Sequence, residues 1–505
     1  MIMKRIVLLI LLITTQITSL AQEEKKEPTI KPIPKPQSFV TTHQGIFGGK
    51  RLTYKATAKE TYLKNEKGDS IASLWSVAYT QEGISNHTQR PVTFIFNGGP
   101  GSASVWLHMG LFGPKIVKVD SDARKDDGAA PYDLTTNENG LLDLTDMVFI
   151  DPVGTGYSRV VGKGKEKDFW GLKEDAASVA QFIRLWITEN KRWFSPKYIA
   201  GESYGTTRAA AVGKALEGNG QNMALNGLIL ISQALDYEGS TSVHNNITSY
   251  VTYLPSMAAT AWYHKKAGQG KELKDFLEEC RKFTYDVYTP ALFKGSLLTD
   301  DEKNSLAEKM AYFIGLDKDY ILRSDLRILM PRFQKQLLAD KGLSIGRLDG
   351  RFMGDEADKL SENPHLGDAS SYQISSAYTA ALNHYFAADL HIEMDRPYLT
   401  SNGKIGRTWR WRTVPDGSYW EPTPVNVSRA LGETMRRNTD MKVLVANGYY
   451  DLITPFFDAE YTFARNGIVK ERVTMTYYEA GHMMYVHEPD LIKLSNDIRD
   501  FLTAD

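Results

Sequence analysis

Short apolar runs punctuate the chain, and several of them stop at a glycine or a tight polar turn. Residues 91–96, 147–150, 198–200, 228–232 and 443–446 are too short for helices and show little polar alternation. Strands buried on both faces of a parallel sheet have this pattern. Residues 473–477 add a further strand at the end of the series. Among these runs lie stretches of helical spacing at 171–190 (Val179, Phe182, Ile183, Trp186), 206–216 and 425–437, and the chain closes on a helix over 491–502. Strands that alternate with helices predict βαβ units and a mostly parallel central sheet flanked by helices. Residues 52–63 and 71–80, separated by a turn over 65–69, alternate in part and predict antiparallel strands at one sheet edge.

After Asp236 this rhythm is lost for about 190 residues, where roughly 2 to 6 would connect a strand and a helix. Helical patterns at 257–266, 273–285, 305–314, 328–339 and 375–389, with a turn-rich stretch over 345–370, predict a large, mainly helical cap inserted into the α/β domain. The expected organisation is therefore a core over 39–235, a cap over 236–424 and a return to the core over 425–505. No internal repeat is visible.

Composition changes this picture at the N-terminus. Lys4 and Arg5 precede an apolar run over 6–13, and Ser19-Leu20-Ala21 offers small residues for cleavage before Gln22. Residues 1–21 are expected to be a secretory signal, since the run falls short of the roughly 20 apolar residues that span a bilayer. Residues 22–38, rich in Lys, Glu and Pro, are expected to be a disordered tether. The reading is an exported protein, periplasmic or extracellular, with no stable membrane insertion once the signal is removed. A net charge of -1 argues against nucleic acid as a partner. The single cysteine, Cys280, excludes an intrachain disulfide and a cysteine-based zinc site, and its helical context assigns it to the core.

Chemistry concentrates where the predicted strands end. Gly201-Glu202-Ser203-Tyr204-Gly205 joins a strand to a helix with one serine between small neighbours, the form of a nucleophile elbow. Alone the motif is weak. Asn97-Gly98-Gly99-Pro100-Gly101 ends another strand and can turn backbone N–H groups toward an oxyanion. A serine hydroxyl needs a base, and the base needs an acid to fix its tautomer. Asp451 follows the strand 443–446 in a loop and fits the acid; His482 follows 473–477 and fits the base, with Gly481 allowing a tight turn. His487 is the nearest rival and sits in a turn-like Glu-Pro-Asp context. The amide of Tyr204 and that of a glycine in the Asn97 loop are the expected oxyanion donors. No metal or cofactor is required. The acidic residues Asp349, Asp355, Glu356 and Asp358 lack the ligand spacing of a calcium loop and are expected to be solvated.

Together, Asn97-Gly98-Gly99-Pro100-Gly101, Asp151-Pro152-Val153-Gly154-Thr155-Gly156-Tyr157-Ser158, the elbow, the Asn447–Asp451 loop and Ala480-Gly481-His482-Met483 resemble the serine carboxypeptidase family in identity and order. The resemblance implies an α/β-hydrolase fold, a Ser203–His482–Asp451 triad, oxyanion donors at Gly99 and Tyr204, and peptide C-termini as substrates. It implies that Asn97, Gly98 and Glu202 bind the substrate carboxylate, with Glu202 donating only when protonated. The chain departs from the family at Leu111, where typical members carry a second glutamate, and at Ser102, where many carry cysteine. The first departure removes the basis for expecting the family's acidic pH preference. Rival readings are an aminopeptidase of the proline iminopeptidase kind, which typically has His in place of Asn97 and Trp in place of Tyr204, an esterase or acyltransferase, and a non-catalytic binding protein.

Overall fold

Ten strands form the main sheet in a computed structural model that describes residues 33–504 except 126–127, 219, 413, 415–416, 420 and 422–423. Among the described residues the strands are β1 (Ser38–Phe47), β2 (Lys50–Lys64), β3 (Ser70–Gln81), β4 (Val92–Phe96), β5 (Lys115–Lys118), β6 (Asp133–Thr136) and β7 (Asp146–Asp151). They continue with β8 (Arg159–Val160), β9 (Lys197–Ser203), β10 (Gly227–Gln233), β11 (Leu343–Ile345), β12 (Met353–Asp355), β13 (Lys442–Gly448) and β14 (Val473–Tyr478). The main sheet runs β1-β2-β3-β7-β4-β9-β10-β13-β14, with β8 beside β3. β7 through β14 in this order are parallel, and β1 to β3 form an antiparallel edge that joins β7. The fold is that of an α/β hydrolase.

Sequence explains the middle of the sheet directly. Every residue of β4, β7 and β10 is buried, so each reads as an unbroken apolar run rather than an alternation. β1 was not predicted, and its inward positions show why: Phe39, Thr41, His43 and Gly45 are only half-buried and mostly polar or small. Its Ser38 lies within the stretch expected to be a tether. The expected signal segment and tether residues up to 32 lie outside the described residues. The hairpin of β5 and β6 was also missed.

One apolar layer packs the helices Leu172–Glu189, Tyr204–Glu217 and Ser428–Arg437 on one face of the sheet. On the other face the closing helix Glu488–Thr503 shares its layer with Ala369–His384, which comes from the insertion. A third cluster fills the helical part of the insertion and takes in Tyr449, Tyr450, Phe456 and Phe457 from the loop and helix after β13. The insertion thus packs directly on the segment that carries Asp451. Its later part crosses the loops at the sheet's carboxyl edge, through bridges from Leu399 to Gly156, Ser401 to Ser102 and Arg410 to Gly171. Among the described residues no helix is long and apolar enough to cross a membrane.

Candidate active site

The segments that follow β4, β9, β13 and β14 meet at the carboxyl edge of the sheet. Ser203 ends β9 with φ 60° and ψ -131°, and the helix Tyr204–Glu217 starts at the next residue. This conformation costs a non-glycine residue on the order of 1–3 kcal/mol, and the surroundings hold it. β9 is paired on both sides, with β4 and β10, and Thr206 Oγ1 donates to the carbonyl of Ser203 at 2.8 Å. Arg208, one turn into the helix and fully buried, donates Nε to Asp175 at 2.7 Å and Nη1 to the carbonyl of Asn97 at 2.5 Å. It binds the elbow helix to the loop that the sequence assigned to the oxyanion. No sequence signal had marked this arginine.

Gly98 makes that junction possible, because a Cβ there would lie 2.5 Å from the amide nitrogen of Tyr204 and 2.7 Å from that of Gly205. The Asn97 loop therefore rests against the first N–H groups of the helix, which have no intrahelical acceptor. Gly99, with φ 103°, follows at once. The amides of Gly99 and Tyr204 thus belong to two chain segments in close contact beside Ser203.

Asp451 and His482 come together as expected, with His482 Nδ1 2.7 Å from Asp451 Oδ2 and both residues buried. The acid is well held. Its Oδ1 accepts from the amides of Ile453 (2.7 Å) and Thr454 (3.0 Å), and its Oδ2 accepts from Thr454 Oγ1 at 2.7 Å. Thr454, which sequence reasoning had passed over, also stands 3.2 Å from His482 Nδ1. Burial alone would depress the imidazole pKa, but the charge and hydrogen bond of Asp451, with a smaller contribution from Glu202, outweigh it and raise the pKa above its ordinary 6.5. Ser232 Oγ donates to the carbonyl of His482 at 2.7 Å, which moors His482 to the strand beside the elbow. His487 is not in this group; its Nδ1 lies 2.8 Å from Asp490 at the start of the closing helix.

Glu202 and Asn97 are buried together, with Asn97 Nδ2 donating to Glu202 Oε1 at 3.0 Å. The amide of Leu107 donates to Asn97 Oδ1 at 3.0 Å, so the side-chain amide can face Glu202 only with its nitrogen. Tyr485 donates its hydroxyl to Glu202 Oε2 at 2.6 Å. Burial pushes the Glu202 carboxyl up to about 7, against the opposing pull of His482 and of hydrogen bonds from Tyr485 and Asn97. Near neutrality the group is thus poised between proton donor and acceptor. Leu111 is itself buried, in the turn His108–Phe112.

Two other expectations are resolved. Cys280 is buried, and desolvation raises its thiol to about 12, in keeping with a core role. The acidic group at 349–358 is not uniformly solvated: Asp349 and Glu356 are buried and paired with Arg351 and Lys335, while Asp355 and Asp358 are exposed. The expectation had weighed the acids without the basic residues that neutralise them.

A family model described as serine carboxypeptidase matches residues 58–489. Retinoid-inducible serine carboxypeptidase from Homo sapiens is 30% identical over 143 residues, 28% of this chain and 28% of that protein. Pheromone-processing carboxypeptidase kex1 from Aspergillus niger is 27% identical over 215 residues, 40% of this chain and 31% of that protein. These alignments span about a third of the relatives' own length. The crystal structure of Kex1(delta)p, a prohormone-processing carboxypeptidase from Saccharomyces cerevisiae, superposes with a TM-score of 0.55 at 15% identity, covering 90% of this chain and 91% of that one. At that identity the superposition speaks for the fold.

Proposed function

This chain belongs to the serine carboxypeptidase family, and we propose that it removes the C-terminal residue of peptides through an acyl-enzyme on Ser203. The observation that carries this reading is the buried Asn97–Glu202–Tyr485 cluster beside the nucleophile. A general esterase needs the triad but has no use for a carboxyl group held near neutrality next to it. A carboxypeptidase must receive the carboxylate that ends its substrate. Asn97 offers its second N–H, and Glu202 offers an O–H whenever it is protonated. Burial in a low dielectric strengthens both contacts.

With the substrate so anchored, Ser203 Oγ attacks the last peptide carbonyl and its proton passes to His482 Nε2. Asp451 accepts from Nδ1–H and stabilises the imidazolium. The amides of Gly99 and Tyr204 take the oxyanion. Collapse of the tetrahedral adduct releases the C-terminal amino acid, whose amine receives the proton from His482. Water, deprotonated by the same imidazole, then frees the acyl group and restores Ser203.

We further propose that the protein acts after export, in the periplasm or outside the cell, on the strength of Lys4, Arg5 and the apolar run that follows them. Incubation with peptides blocked at the N-terminus and with peptides amidated at the C-terminus tests the activity. Loss of the last residue from the first set, with the second spared, supports the proposal. Cleavage that requires a free N-terminus would overturn it in favour of an aminopeptidase.

A further inference from the structure

The loop between β11 and β12, deep in the insertion, is interleaved with both loops that carry the acid and the base. The carbonyl of Arg347 accepts from the amide of Leu452 at 3.1 Å, one residue past Asp451. The carbonyl of Leu348 accepts from the amide of His482 itself at 2.6 Å, and the amide of Gly350 donates to the carbonyl of Tyr450 at 2.9 Å. Between these three backbone bonds, Asp349 Oδ2 accepts from the amide of Gly481 at 3.1 Å. Gly481 was expected to supply a tight turn. What it supplies is room, since a Cβ there would lie 2.4 Å from Asp349 Cα.

Arg351 holds the Asp349 carboxylate, with Nη2 2.7 Å from Oδ2 and Nε 3.1 Å from each oxygen. Its Nη1 donates to the carbonyl of Ser121 at 3.0 Å, which ties the pair to the loop between β5 and β6, outside the insertion. Both side chains are almost completely buried, at 5% and 2% exposure. A buried ion pair is in general poor value for stability, because desolvation offsets the attraction. Here the carboxylate has a second task that an apolar pair of the same volume could not perform, which is to accept the N–H of the residue before the base.

We propose that residues 347–351 are a positioning strap for the catalytic base, in which the Asp349–Arg351 pair sets the Gly481–His482 turn at the correct reach from Ser203. The inference rests on the triad reading given above. The strap acts through His482 and touches no reacting atom. Its consequence is that the insertion, beyond covering the site, completes the alignment on which proton transfer depends. A displacement of about 1 Å in such an arrangement can cost a hundredfold in rate.

The test uses the full chain and a fluorophosphonate probe, which reports activation of Ser203 whatever the substrate class. The double variant Asp349→Leu/Arg351→Met removes both charges while keeping the side chains' size, and is expected to fold with a modestly lowered melting temperature, because the buried Gly481 N–H loses its acceptor. It should nevertheless label Ser203 at least tenfold more slowly, and its peptide kcat should fall by a similar factor with KM unchanged. Asp349→Asn guards against a misfolded double variant: with one oxygen for two sets of donors, it should slow labelling at least threefold while remaining folded. Wild-type labelling rates in both variants, or losses that only track the folded fraction, would overturn the strap while leaving the triad intact. A wild-type chain that resists the probe overturns the serine-nucleophile reading, and the strap with it.

Discussion

Tyr485 donates its hydroxyl to Glu202 Oε2 at 2.6 Å, joining the residue before Ser203 to one that lies three positions beyond His482. A carboxyl paired with another carboxyl titrates as a couple that shares a proton. Burial raises the Tyr485 phenol well above its ordinary range, so it stays protonated when Glu202 ionises. Glu202 therefore titrates without a carboxyl partner at this contact, and near 7 rather than in the acidic range. Leu111, which the sequence resemblance puts at the place of the family's second glutamate, is consistent with this arrangement.

Removing the phenolic hydroxyl should move that titration. The hydrogen bond from Tyr485 favours the carboxylate form of Glu202, so Tyr485→Phe should shift the alkaline rise in peptide KM to higher pH. The KM–pH profiles of the two proteins check this; a downward shift would assign the phenol the opposite role.

Thr454 donates to the Asp451 oxygen that faces the imidazole. Thr454→Val leaves Asp451 its two backbone donors but loosens its alignment. A fall in kcat of about tenfold, equivalent to about 1.4 kcal/mol, is expected with KM unchanged. Steady-state kinetics on one peptide suffices, and an unaltered kcat would limit Thr454 to a local structural role.

In the proposed mechanism His482 must be neutral to accept the serine proton, and its surroundings raise its pKa above the ordinary 6.5. Activity on an ester without a free carboxylate should therefore fall with decreasing pH, with a midpoint above the ordinary histidine value. Such a substrate has no use for the Glu202 proton. A midpoint below about 6 would contradict the raised pKa.

The same burial that raises Glu202 makes it a stability cost at high pH. Its folded pKa of about 7 exceeds the ordinary 4.5, so the folded state binds more protons between these values and this group's contribution falls as pH rises through that window. Glu202→Gln lacks the penalty. It should be more stable than the wild type at pH 8 by on the order of 3 kcal/mol and gain little at pH 4, as read from denaturant midpoints at the two pH values. An equal effect at both would rule out ionisation as the cause.

Much of the candidate site was legible because its parts interrupt local patterns. Ser203 ends a strand, Asn97, Asp451 and His482 follow one, and buried strands betray themselves by apolar runs that end abruptly. What escaped was non-local. Tyr485 meets Glu202 across 283 positions, and Asp349 meets Gly481 across 132. Asp349 had a signal within reach, since Arg351 of opposite charge stands two residues on. β1 escaped for a different reason: an edge strand with a half-buried, largely polar inner face has no apolar rhythm to show.

The central claim is that protonated Glu202 helps to recognise the carboxylate that ends the substrate. It is tested most directly by the ratio of kcat/KM for an N-blocked dipeptide to that for its C-terminal amide, followed from pH 5 to 9 in the wild type and in Glu202→Gln. The prediction is a ratio of about a hundredfold or more at low pH that collapses around pH 7 in the wild type and has no such transition in the variant. A ratio near one throughout, or a wild-type preference for the free carboxylate that is independent of pH, would contradict it.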